Sequence, residues 1–325
     1  MMEKYSQFRD RGSGISPFLP IGTQGSPVAK MLGMWLFLLR LPLVLAYCAA
    51  YFLVLDHLPL PPLVRKLQLW TMLGIPGIWW VDLQLDGVKR GSLYQQPPSR
   101  FPRERAVVAA QFTSPIDAVY LAAIFDPIFV VSFPDTRKVQ RVSLFGAVVH
   151  ALAPPVSSTA VPRTGLTTIR ALLEQNPRRI IAAFPEMTTT NGKGILPLSS
   201  SLLACPADVN IFPVSLRYTP ADVTTPVPGA WASFLWHLLS KPTHYIRVRV
   251  AEGVTTLALA NGASEDELES TEHRERSDDD VPTPEEQHIL DYIGETLARL
   301  ARNKRVGLTL RDKEAFIKVW NGTKK

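Results

Sequence analysis

The chain has 325 residues, 46% of them hydrophobic and 20% charged, enough apolar material for a buried core and too much for a globally disordered protein. Its net charge of +6 is uneven, with +6 over residues 1–105, +4 over 106–257, −9 over 258–286 and +5 over 287–325. The basic remainder suits an anionic membrane surface or a phosphate-bearing substrate, whereas the lack of a basic helix, zinc-finger spacing or aromatic RNA-binding signature argues against nucleic acid as a partner.

A mixed N-terminal tail over 1–30 leads into Met31–Leu55, 25 residues with a single charge at Arg40. A helix needs about 20 apolar residues to cross a bilayer, so this run is long enough. Some thirty mixed residues before it argue against a cleaved signal peptide. Arg40 and Pro42 complicate a simple span, because a central charge costs roughly 2.5–3.5 kcal/mol on insertion scales and proline interrupts the helix ladder. A second apolar run, Leu67–Trp80, has 14 residues and no charge, too few to span alone. The connector Asp56-His57-Leu58-Pro59-Leu60-Pro61-Pro62 breaks helices. Residues 31–80 are therefore read as a membrane-associated helical hairpin that dips into one leaflet, with Trp35, Trp70, Trp79 and Trp80 at the interface. Two buried helices of a soluble domain remain the alternative.

From Val81 the pattern alternates to Asp86 and turns at Gly87, as a strand does. Val107–Ala110, Ile128–Val131, Ile180–Phe184 and Ile211–Leu216 are short apolar runs of strand length, expected of a sheet covered on both faces. Leu166, Ile169, Leu172 and Leu173 share a helix face that should stop before Asn176-Pro177, and Tyr245–Val250 alternates as a late strand. The fold expected over 81–257 is α/β, a central mostly parallel sheet flanked by helices, with functional residues on loops at strand ends. Residues 258–286 read as an acidic, disordered insert. Thr283-Pro284-Glu285-Glu286 carries a capping signal, and 287–325 should form C-terminal helices. Cys48 and Cys205 form neither a disulfide framework nor a metal-ligand set, so no metal is expected and the compartment is reducing.

Three segments of the α/β region carry chemistry. Gln111-Phe112-Thr113-Ser114-Pro115-Ile116-Asp117 leaves one strand, Val161-Pro162-Arg163-Thr164-Gly165 precedes a helix, and Phe184-Pro185-Glu186-Met187-Thr188-Thr189-Thr190-Asn191-Gly192 leaves another strand. Phe212-Pro213-Val214 completes the order. The ordered set, over roughly residues 81–257, resembles the glycerolipid acyltransferase family that includes the 1-acylglycerol-3-phosphate acyltransferases. The N-terminal Glu3-Lys4-Tyr5 and Arg9–Pro20 look like the start of a fungal, lipid-droplet member of that family.

The resemblance implies transfer of a long fatty acyl chain from acyl-CoA, a co-substrate with no bound cofactor, to lysophosphatidic acid or a related lysophospholipid. It also implies an endoplasmic reticulum membrane or lipid-droplet surface, with the active domain facing the cytosol. Such a transfer needs a base for the hydroxyl proton, donors for an oxyanion and a cationic site for phosphate. By resemblance Asp117 orients the base, Arg163 contacts phosphate, and Glu186 with Thr188 forms part of the acceptor site. From the residues alone, Arg163 offers a planar fork for phosphate, and Thr188, Thr189 and Thr190 offer hydroxyls for the same anion. The chain departs from the family at three positions: Phe112 stands where the histidine base belongs, Gln111 where the asparagine before it belongs, and Met187 replaces a glycine. Bland readings stand beside these. Ser114-Pro115-Ile116-Asp117 is itself a good helix start, in which Asp117 only stabilises a helix end, and the lone His150 reads as structural. Asp117 or the acceptor's own phosphate could take the proton instead. A catalytically inactive, lipid-binding relative that serves lipid-droplet organisation is the other reading.

Overall fold

The computed structural model describes residues 3–22, 25–88, 92, 95–156, 161–162, 164–261 and 282–323. A 3₁₀ turn over Glu3–Phe8 precedes the helices α1 (Pro27–Leu53) and α2 (Pro62–Gly74), then strands β1 (Ile78–Leu85) and β2 (Val107–Ala110). Helix α3 (Pro115–Phe125), β3 (Ile128–Ser132), β4 (Val139–Val142), α4 (Leu144–His150), β5 (Leu166–Thr167), α5 (Ile169–Gln175) and β6 (Ile181–Ala183) follow. The chain continues through β7 (Gly194–Ile195), β8 (Asn210–Thr219), α6 (Trp231–Leu239), β9 (His244–Val250), β10 (Val254–Thr255) and α7 (Thr256–Asn261). It closes with α8 (Pro284–Ala301), β11 (Lys304–Arg305) and α9 (Leu310–Thr323).

The main sheet runs β1-β9-β8-β2-β6-β3-β4-β5, with β10 beside β8. Its centre, β8-β2-β6-β3, is parallel, as is the β1–β9 pair. The expectation of a mostly parallel sheet is corrected at the flanks: β3–β4, β4–β5, β8–β9 and β8–β10 are antiparallel. The link from β3 to β4 is too short for the crossover that parallel pairing requires.

Strand β2 is buried on both faces. Val108 and Ala110 enter a core built with α1, α2, α3 and α6, while Val107 and Ala109 enter a second core with α5 and α8. A third cluster joins Tyr5, Phe8 and Phe18 from the N-terminal segment to Phe316 of α9. The segment read as a tail is thus packed, with Phe8 and Phe316 in an edge-to-face contact at 5.4 Å.

The N-terminal apolar region differs from a free hairpin. Pro27–His57 is long and apolar enough to cross a membrane, but α2 ends at Gly74, and Trp79 and Trp80 belong to β1, 65% and 64% exposed. Helix α1 docks along the α/β domain. The Arg40 guanidinium donates to the carbonyls of Pro76 (3.1 Å), Lys241 (2.5 Å) and Pro242 (3.0 Å), and Phe37 packs on Trp236 at 5.2 Å. The charge that seemed misplaced in an apolar run is a docking group. Helix α5 begins at Ile169 rather than Leu166, because Thr168 caps it and Leu166 pairs in β5. Of the expected acidic insert, α7 occupies the first residues and α8 the last, while 262–281 lie outside the described residues.

Candidate active site

Three adjacent strands bring the site together. Because β6, β2 and β8 are neighbours, the loops leaving β2 and β6 and the end of β8 meet at one edge of the sheet. The Phe112 amide donates to Glu186 Oε1 (3.1 Å) and the Thr190 amide donates to the Phe112 carbonyl (3.0 Å), so the first and third motifs are stitched backbone to loop.

Asp117 is fully buried at the start of α3. Its Oδ2 accepts from the amides of Thr113 (2.7 Å) and Ser114 (2.8 Å) and from Thr113 Oγ1 (3.1 Å). Its Oδ1 accepts from the Tyr218 hydroxyl of β8. Ser114 and Asp117 form a capping box, so the helix-start reading of these residues describes real geometry. Burial pushes the Asp117 carboxyl up to about 6, against the pull of Tyr218, Thr113 and Ser114. The side chain that meets the outer oxygen of this carboxylate is thus a phenol.

Glu186 is also fully buried, and its second oxygen accepts from the Leu196 amide (3.1 Å). Burial raises its carboxyl to about 8, while the two amides and Lys313 oppose the shift. Lys313, on α9, is buried completely and donates to Thr188 Oγ1 (2.7 Å), the Thr189 carbonyl (2.6 Å) and Thr189 Oγ1 (3.3 Å). Burial lowers it to about 7. The hydroxyls of Thr188 and Thr189 are therefore engaged inside the protein: Thr189 donates on to the carbonyls of Thr225 (2.6 Å) and Ala151 (3.2 Å).

Sequence reasoning missed Lys313 and Tyr218. Lys313, Phe316, Ile317 and Trp320 follow helical spacing, so a lysine at the head of an apolar stripe was the legible signal. Tyr218 shares the inward face of β8 with Val214 and Leu216, which marks it as buried but not as a partner of Asp117.

Phe112 is fully buried between two rings. Phe184 lies 4.3 Å away at 22° and His150 5.9 Å away at 12°. His150, the last residue of α4, is half-buried, and the Met187 backbone favours its protonated form while burial opposes it. Met187 sits at φ 59°, the left-handed region in which a glycine is at ease. Gln111 turns to the other side of the sheet, where its Oε1 accepts from Ser215 and its Nε2 has no partner. There it lines a cavity of about 70 Å³ with Lys193, Arg217 and Asn303. Arg163 lies outside the described residues; Asp117, Glu186, Thr188 and Thr189 gather in this one corner.

No family model matches the chain. A provisionally named lysophosphatidic acid:oleoyl-CoA acyltransferase of Schizosaccharomyces pombe is 26% identical over 255 residues, 76% of this chain and 83% of that protein. Lysophosphatidic acid:oleoyl-CoA acyltransferase 1 of Saccharomyces cerevisiae is 26% identical over 204 residues, 61% of each chain. The chain is thus similar, over most of its length, to proteins named as lysophosphatidic acid:oleoyl-CoA acyltransferases. It spans less than two thirds of the Saccharomyces relative. Among solved structures, the 1-acyl-sn-glycerophosphate acyltransferase PlsC of Thermotoga maritima aligns with 84% of this chain and 94% of its own, at 14% identity and a TM-score of 0.39.

Proposed function

We propose that the protein is an acyl-CoA-dependent O-acyltransferase that moves a long fatty acyl chain onto the free hydroxyl of lysophosphatidic acid or a related lysophospholipid, making phosphatidic acid. The observation that carries this reading is the convergence of Asp117, Glu186, Thr188 and Thr189 from neighbouring strand ends into one corner, in a chain whose relatives are named for that reaction. A lipid substrate also fits the outer face of α1, where Met31, Trp35, Leu38, Leu39 and Leu45 are exposed. Trp79 and Trp80 are exposed as well, and such apolar side chains suit a membrane leaflet or droplet monolayer. The endoplasmic reticulum or a lipid droplet is the surface this reading assigns, with the α/β domain on the cytosolic side. In this reading Asp117 and Glu186 hold the loops that frame the acceptor, and Arg163 contacts its phosphate.

Purified protein in detergent, supplied with labelled oleoyl-CoA and lysophosphatidic acid, should form labelled phosphatidic acid. No transfer across a panel of lysophospholipid acceptors overturns the proposal. A second reading, a lipid-binding relative without catalysis, draws on the complete burial of Phe112 at the usual base position. Phe112→His separates the two: activity gained from an inactive parent favours the second, and activity lost from an active parent favours the first.

A further inference from the structure

We infer that His150 is the catalytic base, standing in for the histidine that the first motif lacks. The inference rests on the transfer reaction proposed above. Besides the Tyr218 phenol, which is buried and bonded to Asp117, four titratable groups surround the corner among the described residues, and three of them are closed off. Asp117, Glu186 and Lys313 are each fully buried, and their polar atoms are engaged by Tyr218, Thr113, Ser114, Phe112, Leu196, Thr188 and Thr189. His150 alone among them keeps a partly exposed surface.

Its placement is built rather than incidental. The imidazole stacks on Phe112, one ring out from the position where the motif histidine would stand. The carbonyl of the next residue, Ala151, accepts from the hydroxyls of Thr189 (3.2 Å) and Thr225 (3.2 Å), which pins the end of α4 to the third motif. The Met187 backbone beside the ring favours its protonated form. Phe145 and Val149 on the same helix are exposed, and Phe145 packs on Phe52 of α1 at 5.1 Å. The base therefore opens beside the apolar surface that would deliver a lysophospholipid.

The step balances without a further reactant. His150 removes the acceptor's hydroxyl proton as that oxygen bonds to the thioester carbonyl carbon. The carbon–sulfur bond then breaks, and the imidazolium returns its proton to the leaving thiolate of coenzyme A. Charged groups on the elements around it are Asp117 on α3, Arg141 on β4, Glu186 after β6 and Lys313 on α9. Burial, aided by Lys313, lowers the imidazole to about 4, so it is neutral at physiological pH.

The test compares full-length wild type with His150→Gln and His150→Phe in the oleoyl-CoA assay, each checked for an unchanged melting temperature. Both variants should lose about 100-fold or more in kcat, the low end of general-base contributions, with KM for the acceptor little altered. The fall in kcat that wild type shows on acidification should vanish in the residual activity, and added imidazole should restore turnover to His150→Ala. An active wild type whose His150→Phe variant stays within about threefold in kcat overturns this inference alone. A wild type inactive with every acceptor overturns both it and the proposed function.

Discussion

At the residue scale, substitutions at two motif positions are accommodated in different ways. Phe112 replaces a polar base with an aromatic ring, and the structure buries it completely between Phe184 and His150. Met187 keeps a backbone conformation suited to the glycine it replaces, at φ 59°, where a residue with a Cβ is strained by roughly 1–2 kcal/mol. Met187→Gly should therefore stay within about 1 kcal/mol of wild type, since relief of strain offsets the added freedom of the unfolded chain. Met187→Val, with a branched Cβ at the same φ, should lose about 1–2 kcal/mol. Urea midpoints of the two variants check the order. Equal stabilities would mean that the turn after Phe184 relaxes freely.

At the element scale, the long N-terminal helix is a docked element as well as an apolar one. Arg40 carries that docking polarity, and removing it leaves three carbonyls from residues 76, 241 and 242 without their donor. Arg40→Leu should increase hydrogen exchange across α6 and residues 241–243 and lower stability by about 1.5–3 kcal/mol, the range for hydrogen bonds to a charged group. Unchanged exchange there would show that apolar packing such as Phe37 on Trp236 holds α1 by itself. Element identity was legible where local pattern decides it. Val107–Ala110 forms its strand with the expected bounds, and Thr283 caps its helix through the capping box read from Thr283 and Glu286. The start of β1 at Ile78 was not legible, because pairing with β9 draws in Ile78, Trp79 and Trp80, residues that local pattern assigns equally well to a helix.

At the scale of the whole molecule, the C-terminal α9 closes the site from a distance of more than a hundred residues. Lys313 reaches Thr188 and Thr189, and Phe316 anchors the N-terminal aromatic residues on the same helix. Glu186 and Lys313 lie in one buried corner with shifts in opposite directions. Because the Glu186 carboxyl moves from 4.5 up to about 8, its burial costs nothing below pH 4.5, where both states hold the proton. The cost grows as pH rises towards 8, since the unfolded chain ionises first. Measured as melting temperature, Glu186→Gln should gain on wild type between pH 5 and pH 8. A constant difference between the two proteins across that range would contradict the raised carboxyl.

Composition and periodicity by themselves determined that the chain carries an apolar N-terminal helix and an α/β sheet, since burial and period are written locally along each element. The ordered motifs likewise singled out the ends of β2 and β6, which the fold places side by side. Only the tertiary structure decided which groups meet there. Tyr218 reaches Asp117, Lys313 reaches the threonines and His150 stacks on Phe112 because β8, α9 and α4 converge on the β2 and β6 ends. No local pattern encodes a hydrogen bond between residues a hundred positions apart. Strand order brings such residues together, and strand order is settled by how the whole sheet buries its two faces.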